Sequence, residues 1–299
     1  MSTVRQSKMT FAHRVANGLI SFTFGSRTGW CLLTLFRPIL AVGLRNTTLT
    51  CSGQNDGGGA QVQAIVSVAA FAKFFGARFL HTPLSSIEHR PPGVTMEEFC
   101  SKWEEVVSLF GLIEGDTSGF VRYDTKKFLF DFLMLRTRGK SICLENAHFL
   151  TDNHPEVYEI VGLGVSDRKT ETIPNPEIYA HARRGDVEST GSTSFRYTSD
   201  ENLRSHIETA RKRFQYKAAV FIVTENPDND FIDRFSDCTI VTEKDPVKVI
   251  LLLANADGLI MGKSAFSYVA GLLSRGSVFY ETYWQRPLPS WFILPATNP

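Results

Sequence analysis

Residues 1–55 contain neither aspartate nor glutamate. They carry six cations, Arg5, Lys8, Arg14, Arg27, Arg37 and Arg45, so the other 26 Lys and Arg face all 31 acids. The formal charge of +1 therefore divides into a basic arm and a remainder of net −5. An acid-free basic arm suits an anionic membrane surface or a targeting role, and equally a capping segment that happens to lack acids. The acidic remainder has no basic stripe interleaved with aromatics, which excludes nucleic acid as a partner. Cysteine is scarce: Cys31, Cys51, Cys100, Cys143 and Cys238 are odd in number, widely spaced and form no C-x-x-C. That excludes a disulfide framework and a zinc site, and points to a reducing, cytoplasmic setting. Asn46-Thr47-Thr48 then reads as a chance sequon.

Long hydrophobic runs are missing too. Residues 15–26 and 28–36 are apolar but are interrupted by Arg27, Arg37 and Pro38, whereas a spanning helix needs about 20 apolar residues in succession. Peripheral membrane contact through residues 1–45 is the most the arm allows, and a cleaved secretory signal fits poorly. There is no internal repeat and no low-complexity tract.

What is present is ordinary globular composition, 43% hydrophobic and 21% charged over 299 residues, with 23 phenylalanines to fill a core. The length suits roughly two domains. Strand patterns at 47–51 and 77–81 flank a glycine loop and a helical repeat of apolar residues over 60–75, ended by Gly76; this is a βαβ unit with parallel strands. Thr95 and Glu98 have capping-box spacing for a helix to about residue 110. A strand at 140–145 and a short helix at 154–161 follow, and the polar, proline-bearing stretch 166–176 marks a boundary. Beyond it, strands at 177–183, 218–224, 239–242, 258–261 and, last, 277–280 alternate with helices at 201–217, 246–255 and 266–274. The expectation is α/β, with two Rossmann-like domains facing a cleft: a basic arm 1–45, a first domain 46–170 and a second domain 171–299.

Three elements carry candidate chemistry, each at a strand's carboxyl end, where such sheets bind ligands. His181-Ala182-Arg183-Arg184-Gly185-Asp186 follows a strand. Adjacent guanidiniums repel unless an anion meets them, and a diphosphate would satisfy both; an arginine–carboxylate lattice with Asp186 is the alternative. Lys263-Ser264-Ala265-Phe266-Ser267 sits between a strand and a helix, either as an anion site or as a plain N-cap. Asp56-Gly57-Gly58-Gly59-Ala60-Gln61 lets a backbone approach a ligand, or is simply a flexible loop. No Gly-Lys-Ser/Thr follows, so it is not a Walker loop. Asp257 could read a guanine edge or end a helix-to-strand loop.

Together these elements resemble the GDP-fucose-dependent fucosyltransferases of the two-Rossmann-domain (GT-B) type, which include α1,2-, α1,6- and protein O-fucosyltransferases. The resemblance lies in His181–Asp186, matching H-x-R-R-x-D, in Asp257 with Lys263–Ser267, and in Gly57–Gln61 with the strand ending in His81-Thr82-Pro83; it spans roughly residues 46–280. It implies an inverting, metal-independent transfer with no cofactor, taking GDP-fucose as donor and a glycan or glycoconjugate as acceptor. It further implies that Arg183 holds the β-phosphate, that Arg184 fixes its loop through acidic partners, and that His181 and Asp257 contact guanine. Gly58, Gly59, Asp186, Lys263, Ser264, Phe266 and Ser267 complete the donor pocket. The base is Asp56 or Glu188, with preference for Asp56 because the acceptor should approach from the first domain. Acceptor contacts are expected in 85–93, including His89 and Arg90, and in 115–127. Other readings are the same fold with another GDP-sugar, a sugar-nucleotide-binding protein without transfer, and an adhesion ligand through Arg184-Gly185-Asp186.

Overall fold

A computed structural model describes residues 18, 20–52, 56–145, 150–151, 153–164, 174–184, 187 and 194–295. Two all-parallel sheets organise it. In the first unit the strands are β1 (Thr48–Cys51), β2 (Arg78–Phe79), β3 (Val121–Asp124) and β4 (Ser141–Glu145), in the order β2-β1-β4-β3. Leu49 of β1 lies opposite Phe79 of β2 and Ile142 of β4. The helix Gly58–Phe75 joins β1 to β2 and ends on Gly76, whose φ of 77° is the left-handed conformation that glycine adopts without a Cβ penalty. By length and composition this helix could cross a bilayer, but 89% of it is buried and it serves as the central helix of the unit. Phe71, Phe75, Phe128 and Phe132 cluster against it, with ring centroids 4.8–5.7 Å apart for Phe71 and its three neighbours. Thr95 and Glu98 form the expected capping box at the start of the helix Met96–Ser108.

The folded part begins well before residue 46. Helices Arg27–Leu35 and Arg37–Gly43 bury Trp30, Leu33, Leu40 and Gly43 against the first unit. Trp30 stacks on His154 at 4.1 Å and on Phe74 at 5.6 Å. Arg37 Nε donates to the carbonyl of Phe74 at 2.6 Å while its guanidinium lies 4.4 Å over that ring. For these residues the capping alternative holds: the apolar inner faces of the two helices cover the central helix.

The second unit contains β5 (Glu177–Ala182), β6 (Ala219–Thr224), β7 (Thr239–Val241), β8 (Gly258–Ile260), β9 (Ser277–Glu281) and β10 (Phe292–Leu294), in the order β10-β9-β8-β5-β6-β7. The chain runs outward from β5 through β6 to β7, then returns to the other side of β5 for β8, β9 and β10. The switch point is thus the crevice between β5 and β8, and their carboxyl ends carry His181–Arg184 and Gly262–Ser264.

Besides the helix pair in the arm, two strands and two helices were not expected from the sequence. β3 buries only Tyr123 and so shows no alternation; β10 is three residues long, beyond Pro287 and Pro289. The helices Thr125–Leu133 and Asn229–Arg234 are short. One hydrophobic core runs through both units, from Phe71 and Val66 to Tyr268, Leu272 and Trp291. Gln285 Nε2 donates to Gln63 Oε1 at 3.1 Å, tying the chain after β9 back to the first unit. The two sheets are therefore welded below the cleft rather than merely linked by the segment 165–173, which lies outside the described residues.

Candidate functional site

A cleft of about 560 Å³ opens between the units, a size that suits a small organic ligand. The first-unit wall combines the backbone of Gly57–Ala60 with the side chains of Asp56, Glu88, His89, Phe99 and Trp103. Gly57 caps the helix Gly58–Phe75 with no side-chain cap hydrogen bond, so the positive end of the dipole lies at the cleft. The glycines serve close packing as well. A Cβ on Gly58 would fall 2.0–2.5 Å from the Trp103 indole, and one on Gly59 would fall 2.7 Å from Phe266 N in the other unit, whereas Gly57 has 3.8 Å to its nearest neighbour. Gln61, buried, donates to the carbonyls of Asp56 and Ser86 at 2.9 and 2.8 Å and so fixes both loops of this wall. Asp56 lines the cleft and accepts Gly57 N–H at 2.7 Å. Glu88 and His89 line it beside Asp56; Arg90 instead reaches the carbonyl of Val94.

The second-unit wall is side chains. His181, Arg183 and Arg184, at the carboxyl end of β5, all line the cleft. Arg184 is held by its own unit: Nη2 donates to Asp200 at 2.8 Å and to the Thr198 carbonyl at 3.0 Å, and the guanidinium lies 4.4 Å over Tyr197. Its positioning partners are thus the acid and aromatic ring around Asp200. Ser264 caps the helix Ala265–Leu273, accepting Phe266 N–H at 3.1 Å, so a second helix N-terminus meets the first. Phe266 lies edge-on to Trp103 at 5.8 Å and beside His181 at 5.4 Å. Glu243, also on this wall, accepts Asp245 and Lys244 N–H at 2.9 Å each, and these bonds hold its carboxyl below the usual range.

Three expected donor contacts lie elsewhere. Asp257 accepts Glu177 N–H at 3.0 Å at the amino ends of β5 and β8, the opposite edge of the sheet from the cleft. It ends the helix-to-strand loop instead of reading a base. Lys263 is buried behind the wall, 2.9 Å from Glu281. Ser267 is fully buried, accepts Gly262 N–H at 3.2 Å and is hydrogen-bonded to His181 Nδ1, so it positions the histidine from behind. Asp186, Glu188 and Gly185 lie outside the described residues, and the Arg184-Gly185-Asp186 reading cannot be placed on the fold. Asp228-Asn229-Asp230 has D-x-D spacing, yet Asp228 caps the helix Asn229–Arg234 by accepting Phe231 N–H at 2.7 Å, away from the cleft.

The sequence reading missed Arg196, Thr224, Tyr283 and Trp284, which all line the cleft. Thr224 ends β6, and Tyr283 and Trp284 follow β9; applying the carboxyl-end rule to every strand finds these three. Tyr283 stacks on Trp284 at 4.6 Å, and the Arg196 guanidinium lies 4.5 Å over Trp284. Arg196 Nε, Thr224 Oγ1 and Trp103 Nε1 are buried with no hydrogen-bond partner among the described residues. Buried polar groups are rarely left so. Three of them lining one cleft, with two helix N-termini and arginines, suit a polar anion with several oxygens.

No protein-family model matches the chain. No curated protein matches it either. Among solved structures it is similar to NodZ α1,6-fucosyltransferase co-crystallised with GDP, at 14% identity over 77% of this chain and 93% of that one, with a TM-score of 0.38. The NodZ fucosyltransferase from Bradyrhizobium gives 13% identity, 77% and 93% coverage and a TM-score of 0.38. The E. coli heptosyltransferase WaaC with ADP-2-deoxy-2-fluoro heptose gives 9%, 84% and 94%, and 0.36. Such identities and scores carry no inference about this chain, whose α/β class is plain from its own two parallel sheets.

Proposed function

We propose that this chain is an inverting, metal-independent glycosyltransferase of the GT-B type that moves fucose from GDP-fucose to a hydroxyl of a glycan or glycoconjugate. The observation that carries this reading is the meeting, across one cleft, of Arg183 at the switch point of one sheet with the glycine-capped N-terminus of the Gly58–Phe75 helix from the other unit. A nucleoside diphosphate is the ligand class that uses a fixed arginine and helix amides together. The resemblance to H-x-R-R-x-D at His181–Asp186 supports GDP-fucose within that class.

In this reading the acceptor hydroxyl oxygen attacks the anomeric carbon, and the bond from that carbon to the β-phosphate oxygen breaks. The hydroxyl proton passes to the Asp56 carboxylate on the first-unit wall. The negative charge that grows on the leaving GDP is met by Arg183, while Arg184, anchored on Asp200, keeps the loop in place. Glu188 is the rival base: full turnover by Asp56→Asn together with its loss in Glu188→Gln would move the role there.

The test is calorimetric titration with GDP, GDP-fucose and GDP-mannose in EDTA, for wild type and Arg183→Ala. Metal-free GDP binding weakened on the order of tenfold to a hundredfold in the variant supports the diphosphate site. Preference for GDP-fucose names the donor, and preference for GDP-mannose reassigns it. Absence of binding by any guanine nucleotide overturns the proposal.

A further inference from the structure

The helices Arg27–Leu35 and Arg37–Gly43 are apolar on both sides. Their inner face, with Trp30, Leu33 and Leu40, is buried in the first unit. Their outer residues Leu32, Leu35, Phe36, Ile39 and Val42 are 44–71% exposed. The spacing of three, one, three and three makes a stripe along the outside of the helix pair. Leu135 and Met134, both exposed, lie next to its end, where Leu135 packs against Gly43. Contiguous exposed apolar surface on a soluble chain marks an interaction site.

The charge around this stripe is mainly positive; Asp131, whose carbonyl accepts Arg136 N–H at 2.8 Å, is the acid near its Met134–Leu135 end. Arg27 and Arg45 lie on the helix pair and just beyond it, and Arg37, between the helices, turns its guanidinium to the Phe74 carbonyl and ring. The turn that carries Arg136 and Arg138 is fastened to the same end by Thr137 Oγ1 donating to the Gly43 carbonyl at 2.9 Å and Gly139 N–H to the Arg45 carbonyl at 3.1 Å. Among the described residues no carboxylate pairs with any of these five arginines, and residues 1–55 hold no acid at all. A second copy docked through the same patch would set arginine against arginine. An anionic bilayer complements both features at once, taking the leucine, isoleucine and phenylalanine side chains into the acyl boundary and the arginines at its headgroups.

We infer that the outer face of residues 27–45, with the turn 134–138, is a docking surface for anionic lipid. It holds the chain on a membrane surface without spanning it, and it is independent of what the cleft binds.

Co-sedimentation of the full chain with vesicles tests this. Phosphatidylserine–phosphatidylcholine vesicles are expected to carry the chain down at low salt and to release it at high salt, while pure phosphatidylcholine carries little. Leu35→Glu with Ile39→Glu should abolish binding with the melting temperature unchanged, since both side chains already face solvent. Arg136→Glu with Arg138→Glu should weaken partition by about fivefold for each positive charge removed. Ile113→Glu, at an exposed site elsewhere in the first unit, is the control and should bind as wild type. Failure of the wild type to sediment with the anionic vesicles overturns the inference, as does undiminished binding by the Leu35/Ile39 variant. A dimer in sedimentation velocity that this variant dissolves, with no vesicle binding, assigns the face to a second copy instead.

Discussion

The two walls of the cleft are built on different principles. On the first-unit side the fit depends on glycine: Gly58 lies against the Trp103 indole, Gly59 lies against the backbone of Phe266, and the N-terminus of their helix lies at the cavity. On the second-unit side the contacts are mostly polar and charged side chains, and several are steered by partners that do not face the cleft. Asp200 steers Arg184, Ser267 steers His181, and Glu281 holds Lys263 under the loop. A wall of backbone is rigid because nothing fits between its layers. A wall of arginines is rigid only because a second layer of polar residues fixes each rotamer. The first should fail by steric conflict and the second by losing a buried partner.

Removing a buried partner should do the greater damage. Lys263 and Glu281 are 13% and 3% exposed and 2.9 Å apart. Lys263→Met leaves the Glu281 carboxylate buried without its cation, a loss of about 3–5 kcal/mol in pairs of this kind. Urea unfolding at neutral pH should show it as a lower midpoint. The pH dependence identifies the cause. Burial holds His206 below its ordinary 6.5; Glu281 opposes that shift and Lys263 adds to it. Without Lys263 the histidine pKa rises, so the protonated imidazole can replace the lost ammonium. Protonating the histidine in the fold then costs the variant less than it costs the wild type. The variant's deficit relative to wild type should therefore shrink as pH falls below 6.5, and a deficit constant from pH 8 to 5 would show that the pair is not the cause.

The backbone wall should break next. Gly58→Ala places a methyl inside the Trp103 ring system, and the indole, which already meets Phe266, must shift toward the cleft. Overpacking of this sort costs about 1–3 kcal/mol. Gly57→Ala meets nothing nearer than 3.8 Å and should cost only the cap preference for glycine over alanine, no more than about 1 kcal/mol. Thermal melts of the two variants side by side measure the difference. Equal melting temperatures would mean that Trp103 moves freely and that the wall is not rigid.

The same contrast explains how far the sequence could be read. Strands β1, β4, β5, β6 and β9 are β-branched, alternating or apolar stretches between turn signals, and their helices repeat at helical spacing, so their succession along the chain follows from residue type alone. The pair Arg183 and Arg184 was legible because two adjacent cations demand explanation. The opposing uses of Lys263 and Ser264, neighbours in one motif, were not: which side of a loop a residue faces depends on β9 and Glu281. Asp257 was misplaced for a reason the sequence does contain, since it precedes its strand and ligands gather at the other end. The arm was misjudged because its charge drew attention from Trp30, Leu33, Leu40 and Leu44, whose burial reveals a folded helix pair.

The second unit also has an ion cluster that faces water, and it should matter least. Asp237 lies 2.6 Å from Arg204 and 2.8 Å from Arg211, joining the helix Asp200–Arg213 to the turn before β7. Burial works to raise its carboxyl, but the bonds from Arg204 and Arg211 prevail and bring it from 3.8 down to about 2. A depressed folded pKa contributes stability that is complete above the unfolded value and disappears as pH falls through the folded one. Asp237→Asn should therefore flatten the acid limb of the stability curve between about pH 4 and 2 and leave the region above it displaced only slightly, because Asp237 is 46% exposed and solvent screens the pair. If the variant instead loses as much at pH 7 as Lys263→Met does, burial is not what separates the two clusters, and the partners behind the cleft wall owe their importance to position alone.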